Sequence, residues 1–251
     1  MILNIAAYQF VEIDVPESLA SRLRELSETQ GLRGSILIAK EGLNLFLAGS
    51  DGGIESFVEN LRADLRFADI VIKRSRSETQ PFARLKVKVK PEIISFRKPD
   101  ATPLVGRARA VAPAQLARWI AQGQDDQGNR LVLLDTRNQQ EVAYGSFSGA
   151  MTLPINKFTD LPNAVSEQRD ALDGATIVSF CTGGIRCEKA AIWMQAEGIE
   201  NVYQLDGGIL GYFEQVGGYG YEGRCFVFDE RVALDSELKP LVSGQGASSD
   251  S

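Results

Sequence analysis

The chain is organised around the stretch Ser179-Phe180-Cys181-Thr182-Gly183-Gly184-Ile185-Arg186-Cys187-Glu188-Lys189. Residues 176–180 are mostly apolar or β-branched and predict a buried strand. After Arg186, apolar residues recur at helical spacing as far as Gly198, which predicts a helix and its end. A glycine-rich turn between the two carries Cys181. The stretch therefore predicts a strand, a tight turn bearing a thiol, and a helix.

The position of Cys181 predicts a reactive thiol. The unpaired amides and positive dipole of a helix N-terminus favour the thiolate, as does the charge of Arg186. Backbone amides of the turn would stabilise the thiolate or an oxyanion that develops during a reaction, and the turn residues are Thr182, Gly183, Gly184, Ile185 and Arg186. The alternative is a small core cysteine that packs before a helix.

The spacing from Cys181 to Arg186 is C-x4-R, one residue shorter than the C-x5-R loop of cysteine-dependent phosphatases. A tighter loop suits a small species carried on sulfur better than a tetrahedral phosphate. In this respect the chain resembles the rhodanese superfamily. The resemblance continues upstream in the pattern D-x-R…E…G…GA, in which we interpret three residues as a structural brace for the loop: Asp135, Arg137 and Glu141.

Strands alternate with helices in the second half of the chain. Apolar strands are predicted at 131–134 and 201–205, and residues 206–210 lead into a further helix. Repeated strand–helix units indicate a doubly wound parallel sheet covered on both faces, with the site at the carboxyl ends of the strands. The expected fold of this half is rhodanese-like.

The first half predicts the order β-α-β-β-α-β. A strand at 2–12 precedes a helix from Pro16 to Gly31, strands at 35–39 and 43–48 form a hairpin, a second helix follows, and Ile70 to Ile72 begin a fourth strand. That order is typical of a ferredoxin-like α+β domain.

These patterns divide the chain into four segments. We expect a ferredoxin-like domain with a binding or positioning role at 1–98, a linker at 99–109, and a rhodanese-like catalytic domain at 110–235. The segment 236–251 is small and polar, and we expect it to be disordered.

Composition excludes several classes of function. The 251 residues include 44% hydrophobic residues, three cysteines and no histidine. We expect a cytoplasmic protein with no membrane span, no disulfide framework and no metal site. The lack of histidine excludes Ser-His-Asp triads and Cys-His dyads, so that any proton relay must use water or a carboxylate.

Charge is segregated along the chain. Residues 70–110 contain eleven Lys and Arg against three Asp and Glu, whereas the whole chain has a net charge of −6. Such a basic segment in an acidic protein favours a polyanionic partner such as nucleic acid, although a lysine-rich edge strand protected against aggregation is the alternative. The RNA-binding candidates are Lys73, Arg74, Arg84, Lys86, Lys88, Lys90, Arg97 and Lys98.

Together the two halves resemble one family, the rhodanese-domain oxygen-dependent tRNA uridine(34) hydroxylases, over about residues 1–235. The core C-T-G-G-I-R-C-E-K at 181–189 is its most specific part. The resemblance implies hydroxylation of the wobble uridine at C5 with Cys181 essential, tRNA bound through its anticodon loop, and molecular oxygen as co-substrate. We predict no bound cofactor and no obligate protein partner. Cys187 is a candidate resolving thiol, with simple packing as the alternative, and Cys225 is expected to be structural or part of a lid.

A sulfurtransferase that carries a persulfide on Cys181 remains the alternative, because the loop length permits it equally well. The chain also departs from its resemblances at two points. Longer members of the hydroxylase family continue into a cysteine-rich tail, and many rhodaneses have a histidine before the G-A at 149–150, where this chain has Ser146-Phe147-Ser148.

Overall fold

The structure, a computed structural model, describes residues 1–240. The first domain contains one mixed sheet with the strand order β4-β1-β3-β2-β5. Its elements are β1 Ile2–Phe10, α1 Pro16–Thr29, β2 Arg33–Ala39, β3 Gly42–Gly49, α2 Asp51–Arg62, β4 Lys73–Ser77 and β5 Leu85–Val89. The first six elements have the order β-α-β-β-α-β, which confirms the ferredoxin-like prediction.

The two faces of this sheet differ because side chains alternate along each strand. On β1, Leu3, Ile5 and Ala7 enter an apolar core together with residues of both helices, such as Leu23 and Phe57. The intervening residues of β1 face away from the helices. The sheet therefore keeps one face free of its own helices, which we call the open face.

The fourth strand differs from the prediction. Ile70 to Ile72 precede it, and the strand itself is Lys73–Ser77, which pairs antiparallel with β1. Ile70 is buried in the core from a loop position, and its amide donates to the Phe67 carbonyl. The apolar pattern at 70–72 identified residues that pack against the core. The polar residues that follow, 73–77, form the edge strand of the sheet.

The second domain contains a parallel sheet with the order β6-β11-β10-β7-β9. Its elements are β6 Arg109–Val111, α3 Pro113–Gln122, β7 Leu131–Asp135, α4 Gln139–Val142, β8 Gly145–Phe147, β9 Met151–Thr152, α5 Leu161–Glu167, α6 Arg169–Leu172, β10 Thr176–Phe180, α7 Ile185–Ala196, β11 Val202–Leu205, α8 Gly208–Val216, β12 Tyr221–Gly223, β13 Cys225–Phe226 and β14 Ala233–Leu234.

Helices cover both faces of the parallel sheet. Trp193 and Met194 of α7 pack on one face, while Trp119 of α3 and Tyr212 of α8 pack on the other. The carboxyl ends of β7 and β10 lie side by side, since Phe180 pairs with Asp135. The parallel sheet confirms the predicted fold class and places Cys181 at the expected edge.

The segments outside the two domains are more ordered than their composition suggested. Ala101 and Ala108 of the predicted linker are buried, and Arg109 already belongs to β6. Of the predicted disordered tail, residues 236–240 form a turn in which Asp235 accepts bonds from the amides of Glu237 and Lys239. The rest of that prediction, 241–251, lies outside the described residues.

The two domains are joined by a buried ionic contact. Lys189 of α7 is 1% exposed, and its Nζ lies 2.9 Å from Glu41 Oε1 and 2.8 Å from Glu92 Oε1, both in the first domain. An apolar cluster of Phe10, Ile93 and Ile185 lies beside it. Among residues 1–240, no helix combines the length and apolarity that crossing a membrane requires.

Candidate active site

Cys181 follows β10 and precedes α7, so its side chain lies at the N-terminus of that helix. The Gly184 amide donates to Cys181 Sγ at 3.1 Å. Gly184 has a φ of +103°, and a Cβ there would lie 2.9 Å from the Tyr8 hydroxyl oxygen. Glycine is required at this position both by the left-handed backbone and by the close approach of Tyr8.

The turn is held from behind by the next helix. The amides of Ile209 and Leu210 in α8 donate to the carbonyls of Cys181 at 2.9 Å and Thr182 at 3.1 Å. A Cβ on Gly208 would lie 2.6 Å from the Cys181 carbonyl oxygen, so this approach also requires glycine. With its carbonyls bound on one side, the turn can direct amides toward the sulfur on the other.

The electrostatic surroundings of Cys181 favour the thiolate. Burial alone would raise the pKa of Cys181, but the neighbouring Cys187 thiol, the Arg186 guanidinium and the amides of Arg186 and Gly184 outweigh it. The pKa of Cys181 therefore lies well below its ordinary value. Burial, with the neighbouring Cys181, raises the pKa of Cys187 well above its ordinary value, so Cys187 remains a thiol.

Arg186 is fixed by a buried ion pair. Its guanidinium donates to the two carboxylate oxygens of Glu141 at 2.6 and 2.7 Å, and Glu141 is fully buried. Burial lowers the pKa of Arg186, but the bonds to Glu141 raise it more. Glu141 itself sits in a capping box with Asn138 at the start of α4. The interpretation of Glu141 as a brace for the loop agrees with this geometry.

A second buried ion pair lies behind the first. Arg137 donates to Asp135 at 2.6 Å, and both side chains are fully buried at the end of β7. Arg137 also donates to the Gly145 carbonyl at 2.7 Å, and the Ser146 hydroxyl donates to Asp135 at 2.8 Å. The pair ties β7 to β8, the strand that follows α4, and α4 is the helix that carries Glu141.

Cys225 lies on a short strand that neighbours the active loop. It is fully buried on β13, and burial raises its pKa to about 12. The carbonyl of the next residue, Phe226, accepts a bond from the Thr182 hydroxyl at 3.4 Å. This strand therefore packs against the active loop, in agreement with a structural role.

A cavity of about 660 Å³ lies between the two domains and is lined by Cys181 together with residues of the open face. Asn4, Tyr8 and Phe46 line it from the first domain. Gly183, Arg186 and Glu188 line it from the second. The Cys181 side chain is buried, yet it lies in the wall of a space large enough for a nucleobase.

Lys73 occupies a position that differs from its predicted role at an RNA surface. Its Nζ donates to the Gly183 carbonyl at 2.6 Å and also to the Gly207 carbonyl. Burial lowers the pKa of Lys73, while the negative charge of Cys181 opposes that effect. Lys73 thus connects the first domain to the active loop, and its donors face the protein.

The other RNA-binding candidates are exposed. Lys86 and Lys88 lie on β5, flanked by Arg84 and Lys90, and Arg97 and Lys98 follow on a loop. Arg74 is exposed but pairs with Glu55 at 2.8 Å. β5 is an edge strand of the sheet. The alternative interpretation, a lysine-rich edge strand that is protected against aggregation, therefore also fits.

The register of β5 decides which face its cations occupy. Lys86 pairs with Ser35 of β2, and Ser35 lines the cavity. Val87 pairs with Ile36, and both lie in the core. Lys86 and Lys88 therefore project from the open face, three strand spacings from β1, or about 14 Å.

Three residues of the site were not identified from the sequence. Tyr8 and Glu188 line the cavity, and Lys189 forms the ion pairs that join the two domains. Glu188 and Lys189 stand in the most specific motif, and the lack of histidine pointed to a carboxylate. No pattern in the sequence indicated that Tyr8 would lie against Gly184. Residues 1–240 contain no cluster of three His, Cys, Asp or Glu suited to a metal ion.

The fold and site define a rhodanese-like domain with an activated thiol, joined to a small ferredoxin-like domain. Family models agree: a UPF0176 acylphosphatase like domain matches residues 2–93, and a Rhodanese-like domain matches residues 113–215.

Relatives that align with nearly the full length of this chain identify its family within this class of protein. Proteins named tRNA uridine(34) hydroxylase from Xanthomonas euvesicatoria pv. vesicatoria (strain 85-10) and Xylella fastidiosa (strain 9a5c) are 67% and 61% identical to this chain. The alignments cover 96% of this chain in both cases, and 98% and 94% of the respective relatives. The chain belongs to the tRNA uridine(34) hydroxylase family.

Proposed function

We propose that this chain is a tRNA-modifying oxidoreductase that hydroxylates uridine 34 at ring carbon 5, with molecular oxygen as co-substrate. The observation that carries the proposal is the sulfur of Cys181, whose pKa is depressed and which lies in the wall of a cavity of about 660 Å³ between the domains. The names of the relatives support the same reaction.

Cys181 acts as the nucleophile of a covalent mechanism. Its thiolate adds to C6 of uracil, which makes C5 electron-rich and able to form a bond to one oxygen atom derived from O2, while an external two-electron reductant converts the other oxygen atom to water. The C5 hydrogen then leaves as a proton, the C5=C6 bond re-forms, and the thiolate leaves. The amides at the N-terminus of α7, with the Arg186–Glu141 pair behind them, stabilise the thiolate each time it is regenerated. Thr182, Gly183, Gly184 and Ile185 form the rest of this loop.

A rival order places oxygen on sulfur first and uses Cys187 to resolve the oxidised Cys181. The raised pKa of Cys187 makes it a weak nucleophile, and its side chain is fully buried. Thr136 Oγ1 lies 3.7 Å from its sulfur. We therefore assign to Cys187 the role of a hydrogen-bond donor that supports the Cys181 thiolate.

The substrate reaches the site across the open face. The anticodon loop of tRNA docks on the cations of β5 and its flanks, and the uridine leaves the base stack to enter the cavity. Tyr8, Phe10 and Phe46 supply aromatic surface for the base. The proposal includes no resident metal or cofactor and no obligate protein partner, and it places the reaction in the cytoplasm, where tRNA is found.

Purified protein incubated with unmodified tRNA in air tests the proposal by mass spectrometry of the nucleosides. We expect 5-hydroxyuridine at position 34 with the wild type and none with Cys181→Ser. A parallel reaction with thiosulfate and cyanide tests the sulfurtransferase alternative, which the names of the relatives do not favour. Thiocyanate formation without 5-hydroxyuridine would reverse the assignment.

A further inference from the structure

The reaction proposed above includes a proton transfer for which the chain has no histidine. Hydroxylation replaces the hydrogen on C5 of uracil. A base must therefore take that hydrogen as a proton before the C5=C6 double bond of the ring re-forms. A carboxylate that lies in the cavity with a free oxygen is the group to look for.

Glu188 is such a carboxylate. It lies on the first turn of α7, is 8% exposed and lines the cavity together with Cys181. Its Oε1 accepts a hydrogen bond from the Tyr8 hydroxyl at 3.4 Å. Its Oε2 is buried and has no hydrogen-bond partner within residues 1–240. An unpaired buried carboxylate oxygen is costly and calls for an explanation, and a base that acts on a substrate in this cavity supplies one.

The other carboxylates that line the cavity are less suitable. Asp69, Asp206 and Glu214 are exposed to solvent. Asp229 is buried, but its two oxygens are engaged by the guanidinium of Arg231 at 2.8 and 2.5 Å. Of the acidic side chains described around the cavity, Glu188 combines burial with an unoccupied oxygen.

Tyr8 connects this carboxylate to the reactive sulfur. Its hydroxyl oxygen lies against Gly184, whose amide donates to Cys181 Sγ. The Gly184 carbonyl in turn accepts the Glu188 amide at 3.3 Å. Burial and the neighbouring Glu188 raise the pKa of Tyr8 well above its ordinary value, so its phenol keeps the proton that it donates to Glu188.

We propose, on the basis of the function proposed above, that Glu188 is the base that removes the C5 proton of the uracil adduct, and that Tyr8 orients its carboxylate. In the adduct, C6 is bonded to Cys181 Sγ, and C5 carries the new hydroxyl group and one hydrogen. Glu188 Oε2 takes that hydrogen as a proton, and the C5–H electron pair forms the C5=C6 double bond. The C6–S bond breaks and its electron pair leaves with sulfur as the thiolate. The step involves no oxidant or reductant.

Glu188→Gln tests this assignment because the amide keeps the shape of the side chain but cannot take the proton. We expect formation of 5-hydroxyuridine to fall by about 10²-fold or more, which is the usual contribution of a general base, with unchanged affinity for tRNA. The stalled adduct should accumulate as a covalent protein–tRNA species on a denaturing gel. Cys181→Ser should give no such species. Glu197→Gln, which makes the same change at an exposed end of α7, is the matched control and should behave as wild type.

Further measurements separate a chemical role from a structural one. Glu188→Asp keeps a carboxylate and should recover part of the rate lost in Glu188→Gln, while the rate of Cys181 alkylation should equal that of the wild type in both Glu188 variants and in Glu197→Gln. Wild-type rates in Glu188→Gln would overturn the assignment, as would lost activity accompanied by slower alkylation and no adduct. A wild type that forms no 5-hydroxyuridine would instead overturn the proposed function itself.

Discussion

The Nζ of Lys73, in the first domain, donates a hydrogen bond of 2.6 Å to the carbonyl of Gly183, in the loop that carries Cys181. The two residues are 110 positions apart in the chain. The ferredoxin-like domain therefore supports the reactive loop directly, in addition to forming the opposite wall of the cavity. This contact ties Lys73 to the loop, so we expect the docking of tRNA to depend on other cations.

Replacement of Lys73 by Met separates these two roles. The variant leaves the Gly183 and Gly207 carbonyls without their donor, at a cost of about 1–3 kcal/mol for a buried acceptor, and removes a positive charge near Cys181. We expect slower alkylation of Cys181 at neutral pH and slower hydroxylation. Binding of tRNA, measured by filter retention, should change little. Weaker tRNA binding with a normal rate of alkylation would indicate instead that Lys73 contacts RNA.

The depressed pKa of Cys181 predicts the pH dependence of its alkylation. A thiol with a lowered pKa stays a thiolate to lower pH than an ordinary cysteine does, so the rate of alkylation should fall with an inflection well below about 8.5, the pKa of an unperturbed thiol. Stopped-flow measurements of the rate of alkylation by iodoacetamide as a function of pH, on the wild type and on Cys187→Ser, test this pH dependence. An inflection near pH 8.5 in the wild type would contradict the depressed pKa.

Charge reversal on β5 should weaken tRNA binding without altering the thiol. If Lys86 and Lys88 each contact a phosphate as proposed, Lys86→Glu combined with Lys88→Glu removes two such contacts, so the slope of log K against log salt should decrease by roughly 1.4–1.8. Arg118→Glu combined with Arg169→Glu reverses the same number of exposed charges in the second domain and serves as the control. Equal tRNA affinity in the two double variants would favour the alternative, a charged edge that only prevents aggregation.

The contact between Lys189 and Glu92 predicts sensitivity to acid. Burial raises the pKa of Glu92, but the bonds from Lys189 and from the amides of Arg97 and Phe96 lower it more. A carboxyl whose pKa is lower in the folded state than in the unfolded state, where it is about 4.3, stabilises the protein at a pH above that unfolded-state pKa. This stabilisation is lost as the pH falls through the folded-state pKa. The stability difference between wild type and Glu92→Gln, from urea midpoints, should therefore be largest near pH 7 and shrink below pH 4. A difference that does not depend on pH would contradict the prediction.

Local patterns predicted the elements that carry the reactive thiol. The strand before Cys181, the glycine-rich turn and the helix ending near Gly198 all depend on residues close together in the chain, whose periodicity reports burial directly. The motif also places Asp135 and Arg137 two residues apart, and their side chains pair with each other, while their role as a brace for the loop stays a prediction. The start of β4 was misplaced, since an edge strand of polar residues carries no periodic apolar signal.

The sequence alone predicted the two folds, a reactive thiol at Cys181, and a proton relay through water or a carboxylate in place of histidine, because each is encoded in residue type and short spacing. The tertiary structure decided which of the carboxylates around the cavity is buried with an unpaired oxygen, which lysine contacts the loop, and which face of the first sheet meets the thiol. Tyr8 and Glu188 are 180 residues apart, and the docking of one domain on the other brings them together. Such contacts arise from packing between surfaces, and no local periodicity in the chain specifies them.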